Sequence, residues 1–144
     1  MTVPRTVVGR DGRAKAYRPL PLAQRRAALE AGVAAYEAGD FFEAHELLEP
    51  AWMGTADLGE RSFLQGLIKL SAAYVHGVRG NPAGIAQNLT GARDRLAEAI
   101  DAGTFTEGID LPALVADIDA RLTELAAGPD AARLDPPRLH RRTP

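Results

Sequence analysis

The sequence predicts an all-α chain: a single-domain antiparallel helical bundle or helical-hairpin array of about five helices, with flexible basic N- and C-terminal arms. Three observations predict it. Between residues 21 and 128, apolar residues recur at helical spacing in five segments. Gly, Pro and Asx residues separate those segments at short intervals, where helices end and begin. No segment shows the alternation of apolar and polar residues that marks a half-buried strand. The organisation is an N-terminal basic arm (1–20), a helical domain (21–128) and a Pro/Arg-rich C-terminal tail (129–144).

Residues 1–20 contain Pro4, Gly9, Gly12 and Pro19 and no helical period, so they form an arm, extended against the body. Pro21 suits a first helical turn, and Leu22, Leu29, Val33 and Tyr36 follow at roughly helical spacing. Gly39 closes that helix in the left-handed conformation. Asp40 caps a second helix, with Glu43 three residues on. Pro50 lies inside it, and a kink or break is expected near Glu49. Gly54 to Gly59 is a loop, and Asp57 with Glu60 starts the third helix. That helix is apolar on most of its circumference (Phe63, Leu64, Leu67, Ile68, Leu70, Tyr74, Val75), so it is the expected centre of the fold. Gly80 stops it. Asn81 and Pro82 open a fourth, with Ile85, Leu89, Ala92, Leu96 and Ile100 in register, closed by Gly103. Asp110 opens a fifth that ends at Gly128.

Two stretches echo each other at an offset of 41: Leu29, Gly39, Asp40, Leu48 and Ala51 face Leu70, Gly80, Asn81, Leu89 and Ala92. Tyr36 to Ala44 also looks like the turn of a tetratricopeptide-type hairpin. General helical-hairpin chemistry accounts for most of the likeness, and two units are fewer than a solenoid needs.

Composition bounds the function classes. The 144 residues are 46% hydrophobic and 25% charged, ordinary for one globular domain. There is no cysteine, so disulfides and thiolate zinc sites are excluded. No apolar run approaches the ~20 residues of a membrane-spanning helix, and the N-terminus has no signal-peptide core. A cytoplasmic location is the default expectation. The formal charge of −2 is unevenly spread: five basic residues against one acidic give +4 in 1–20, four against two give +2 in 129–144, and the middle carries −8. An acidic body with basic ends does not predict specific nucleic-acid binding. Contacts through Arg10, Arg13, Arg138, Arg141 and Arg142 would be sequence-blind and salt-sensitive.

One constellation carries chemistry. His45 and Glu49 are four apart and share a helix face, with Glu46 beside them and Trp52 one turn on. Gln65 and His76 lie on the third helix, which is expected to pack on this one. Three readings are open. A metal-dependent hydrolase would use His45, Glu49 and His76 as ligands, with Glu46 as fourth ligand or general base. A small polar pocket would be lined by His45, Glu46, Glu49, Trp52, Gln65 and His76. In the third reading both histidines are buried neutral imidazoles, Trp52 is a core aromatic, and Glu43 and Glu46 are solvated or paired with Arg61 or Lys69. His-Glu-Leu-Leu-Glu holds only half of the metalloprotease pattern, because Glu49 stands where a second histidine is required. Nucleophilic catalysis has little support, since neither Ser62 nor Ser71 sits on an elbow.

Phe42-Glu43-Ala44-His45-Glu46-Leu47-Leu48-Glu49, with Trp52 after it, and Leu64-Gln65-Gly66-Leu67-Ile68-Lys69-Leu70-Ser71-Ala72-Ala73, followed by His76, Gly80-Asn81 and Gly84, together resemble the domain of unknown function 309 family of small prokaryotic proteins. The resemblance covers about residues 25–100. It implies an all-helical fold and no reaction. Its pattern falls on His45, Glu46, Glu49, Trp52, Gln65, Gly66 and His76. Pro50 departs from it, standing where a helix-compatible residue is expected.

The reading that follows is a non-enzymatic helical domain. It binds a protein partner or small ligand in the groove between the second and third helices, with no cofactor, no bound metal and no membrane association. A homodimer fits the very apolar third helix. The alternative is the metal-dependent hydrolase.

Overall fold

The computed structural model describes residues 6–8, 13–78, 82–128 and 135–141. Among these residues five helices follow one another: α1 (Leu22–Glu37), α2 (Phe41–Met53), α3 (Leu58–Val78), α4 (Pro82–Asp101) and α5 (Leu111–Ala127). Each packs on the next in sequence, and the α3–α4 contact is the most extensive. This is the helical-hairpin array that the periodicity predicts, with α3 between α2 and α4.

The helix ends obey their local chemistry. Gly39 takes a φ of +82°, and its N–H donates to the Tyr36 carbonyl at 2.9 Å, closing α1. The Asp40 carboxylate accepts from the Glu43 N–H at 3.4 Å, that of Asp57 from the Glu60 N–H at 2.8 Å, and that of Asp110 from the Ala113 N–H at 3.1 Å. The expected stop at Gly80 and cap at Asn81 lie outside the described residues.

The core is built by helical periodicity. Ala44, Leu48 and Ala51 bury one stripe of α2, while Phe63, Leu64, Leu67 and Leu70 from α3 meet Leu89, Leu96 and Ile118 from α4 and α5. Two glycines set how closely the helices approach. A Cβ on Gly32 would lie 2.5 Å from Leu48 Cγ, and one on Gly66 would lie 2.6 Å from Leu96 Cδ2. Leu48 and Leu96 thus fill the space that a side chain on the facing helix would need.

Three expectations are corrected. Pro50 does not break α2, which runs on to Met53. Pro50 is exposed there, so its ring meets solvent rather than a neighbouring helix. The N-terminal arm contains strands, which were not expected. Thr6–Val8 (β1) and Ala14–Ala16 (β2) pair antiparallel, with Thr6 opposite Ala16 and Val8 opposite Ala14. Strands of three residues are too short to show an alternation in sequence. The arm then runs extended along the end of α2, where the Arg18 and Leu20 N–H groups donate to the Met53 and Gly54 carbonyls at 2.9 and 3.0 Å.

The third correction concerns the C-terminal tail, expected to be flexible. Residues 135–141 lie on the body, with Pro137 and Leu139 buried. The Asp110 N–H donates to the His140 carbonyl at 3.1 Å, and Ile109 and Arg141 form an isolated antiparallel bridge. An apolar Pro-Pro-x-Leu segment gains by covering the exposed ends of α1 and α3. The surrounding prolines and arginines hide that gain from a reading of composition alone.

Candidate functional site

The α2 sequence sets two neighbouring stripes. Ala44, Leu48 and Ala51 face the core; His45, Glu49 and Trp52 are each one residue later, which turns them about 100° around the axis to the boundary with solvent. His45 Nδ1 lies 3.5 Å from Glu46 Oε1 and 3.9 Å from Glu49 Oε2. One ligand atom from each of His45, Glu46 and Glu49 lies within 4.8 Å of the others. The side chains are 33%, 53% and 44% exposed. His45 is therefore no buried core imidazole, which removes that part of the third sequence reading.

Trp52 continues the stripe at half burial, packed against the core. The Arg61 guanidinium stacks over its ring at 4.9 Å from the centroid. Arg61 Nη1 also donates to the Trp52 and Thr55 carbonyls, both at 3.1 Å. Arg61 is 4% exposed, and burial lowers its pKa from the ordinary arginine value. Among the described residues its Nη2 is buried without a hydrogen-bond partner. The pairing of Glu43 or Glu46 with Arg61 does not form, because Arg61 is committed to the end of α2. Lys69 forms no ion pair among the described residues. Its aliphatic stem lies beside Gly91 of α4, where a Cβ would come within 2.9 Å of Lys69 Cδ.

The fold therefore brings together His45, Glu46 and Glu49, with Trp52 one turn away. Gln65 is half-buried on α3, and among the described residues no hydrogen bond joins it to the cluster. The His76 side chain lies outside the described residues, as do Arg10 and Arg142. Of the remaining basic candidates, Arg13 and Arg138 are exposed, and Arg141 pairs with Glu37 at 3.0 Å.

Sequence reasoning missed Arg61 as the support beneath Trp52. It lies nine residues from Trp52, a separation that carries no helical signal because a loop intervenes. The described helices include none long and apolar enough to cross a membrane.

Residues 29–88 match the family model of a domain of unknown function, DUF309, the family that the two sequence blocks resemble. The matched stretch holds the whole of α2 and of α3, and so the complete His45–Glu46–Glu49–Trp52 stripe. Neither the curated proteins nor the solved structures compared with this chain include a match.

Proposed function

We propose that this chain, whose residues 29–88 are a DUF309 segment, is a non-enzymatic helical binding domain that recognises a partner's basic segment through the His45–Glu46–Glu49 face of α2. One observation carries the reading. Two carboxylates and an imidazole converge at a partly exposed surface, and among the described residues neither Glu46 nor Glu49 pairs with a lysine or arginine. An ammonium or guanidinium group entering there meets two charged acceptors, the stronger class of hydrogen bond. Trp52, one turn on, offers an aromatic edge for the aliphatic stem of such a side chain.

A second reading is favoured by the same atoms. One imidazole nitrogen and two carboxylate oxygens suit a divalent zinc, manganese or iron ion, with the helix supplying His45 and Glu49 four apart. In the hydrolase form of this reading His76 adds a second nitrogen, and Glu46 is freed to act as general base.

Two measurements on untagged, chelator-free protein decide between the readings. Binding to peptides graded by lysine and arginine content is followed with added salt. Metal content is determined in parallel. Partner recognition predicts affinity that rises with basic content, falls with salt and disappears in a Glu46→Gln, Glu49→Gln variant, with no stoichiometric metal. One equivalent of metal, lost in a folded His45→Ala variant, overturns it in favour of the metal site.

A further inference from the structure

The C-terminal segment 135–141 rests on a surface unlike the α2 face. Tyr36 from α1, Phe41 from α2 and Tyr74 from α3 form a contiguous aromatic shelf. The Tyr36 and Phe41 ring centroids are 5.4 Å apart at 68°, and those of Phe41 and Tyr74 are 5.6 Å apart at 43°. Across this shelf lies Asp135-Pro136-Pro137-Arg138-Leu139. The Tyr36 hydroxyl donates to the Pro137 carbonyl at 2.7 Å, and the Tyr74 hydroxyl to the Asp135 carbonyl at 3.4 Å. Arg121 Nε of α5 donates to the same Asp135 carbonyl at 2.9 Å.

The match between the two surfaces is chemical. Pro136 and Pro137 have no N–H, so this stretch of backbone presents acceptors only. The shelf turns donors toward it: two phenol hydroxyls and a guanidinium. Burial holds both phenols protonated, pushing Tyr74 up to about 12, and Tyr36 is raised by burial first and then by the neighbouring Tyr74. The residue before each proline is restricted to extended backbone, so the segment arrives with little freedom left to lose. Aromatic shelves whose hydroxyls read prolyl carbonyls are a recurrent way of binding proline-rich peptides.

We propose that the Tyr36–Phe41–Tyr74 shelf is a receptor groove for an extended Pro-Pro-containing segment of another protein, and that residues 135–139 are its resident occupant in cis. Three features fit a displaceable occupant. Every hydrogen bond just given runs from a side chain of the body to the main chain of the segment, so it tolerates other sequences around the prolines. A cavity of about 610 Å³ remains beside the segment, bounded by Tyr36, Glu37, Phe41 and Pro136 to Arg141. The shelf belongs to the DUF309 segment, whereas its cover comes from outside it. The anchors that a competitor must displace are Leu139, 3% exposed, and the ion pair from Arg141 to Glu37. Beyond Leu139, His140 Nε2 lies 2.5 Å from Asp117 Oδ2 of α5, and a competing peptide breaks this contact too.

The test uses the full-length chain with Leu139→Asp, which removes the apolar anchor and frees the shelf. A fluorescein-labelled peptide Asp-Pro-Pro-Arg-Leu-His-Arg is titrated and its polarisation read. Saturable binding to the variant is expected, at least tenfold weaker binding to the parent because of its cis occupant, and loss of binding when Tyr36→Phe is added. Should Leu139→Asp lose its helical circular dichroism, Leu139→Ala is titrated instead, with the same outcomes. A folded variant that does not bind the peptide overturns the proposal. So does equal binding of a peptide with both prolines replaced by alanine. A concentration-dependent dimer of the parent that is lost in the Leu139→Asp variant overturns the partner assignment, since the tail of a second copy would then be the occupant.

Discussion

Two faces of the stretch that matches the DUF309 family model treat their polar groups in opposite ways. The His45–Glu46–Glu49 face leaves charged groups half in water, where they cost little and stay open to a ligand. The Tyr36–Tyr74 shelf buries neutral hydroxyls. Once buried, each needs a partner, because an unmade hydrogen bond in the interior costs about 1–3 kcal/mol. The tail supplies those partners. The difference teaches where each region's stability resides: the shelf is part of the folded state's energy, whereas the α2 face is nearly independent of it. Substitutions at the shelf should therefore move stability, and those at the α2 face should move binding alone.

The largest effect is expected from Tyr36→Ala. It removes a buried ring from the contact between α1, Phe41 and the tail, and with it the bond to the Pro137 carbonyl. A loss of about 3–5 kcal/mol follows from large-to-small substitution at such a site, read as a lowered urea midpoint. Tyr36→Phe keeps the ring and leaves the carbonyl unpaired, for a loss of about 1–3 kcal/mol. Equal losses in the two variants would mean that the ring contributes nothing beyond its hydroxyl.

Next comes Arg61→Ala, which tests what supports the open face. Arg61 is the buried charge beneath Trp52, and its two carbonyl contacts pin the end of α2 to the start of α3. Each of those bonds comes from a charged donor. Removing both leaves two carbonyls short of a partner, at a loss of roughly 2–4 kcal/mol. Trp52 fluorescence reports on the same change, because the guanidinium leaves its ring. An unchanged stability with altered fluorescence would show that Trp52 rests on the core without Arg61.

These two regions also differ in how much of them the sequence declares. The five helices are legible because each carries its own period, and three of them carry a cap as well: Asp40, Asp57 and Asp110 all accept the bond expected of them. The α2 face is legible because its three residues are within five positions of one another, where helical geometry alone puts them together. The shelf is not. Tyr36 and the Pro137 carbonyl are 101 residues apart, and no local period can join them. The tail reads as solvated from its prolines and arginines, yet Leu139 and Pro137 are apolar enough to dock once a surface exists. Arg61 was hidden for the same reason on a smaller scale. Nothing in its neighbourhood announces that a charge will be buried under a tryptophan nine residues back.

A smaller effect separates the two faces by pH. Burial pushes Tyr74 up to about 12 from an ordinary 10.0. The unfolded chain then loses that proton first, and above pH 10 it binds fewer protons than the folded chain. Stability therefore falls as pH rises from about 10 toward 12, and the contribution is fully present below pH 10. Tyr36, shifted in the same direction, adds to the slope. Tyr74→Phe should flatten the alkaline limb of a stability–pH profile measured by urea denaturation. An unchanged limb would mean that the Tyr74 hydroxyl ionises alike in both states and is not held by the tail.

The smallest stability change, and the one that most sharpens the contrast, is expected from Glu46→Gln with Glu49→Gln. Both carboxylates are about half exposed, and their contacts with His45 are long for hydrogen bonds. Exposed pairs of this kind contribute at most about 1 kcal/mol, so the urea midpoint should move by no more than about 1 kcal/mol in equivalent free energy. The amide replacements keep shape and remove both negative charges, so a charged ligand of this face should be lost while the helices and the tyrosine shelf are untouched. Peptide affinity measured on the same preparation as the midpoint makes the comparison direct. A large drop in stability would place these carboxylates among the groups that hold the fold, and the α2 face would then be a second structural region rather than a recognition surface.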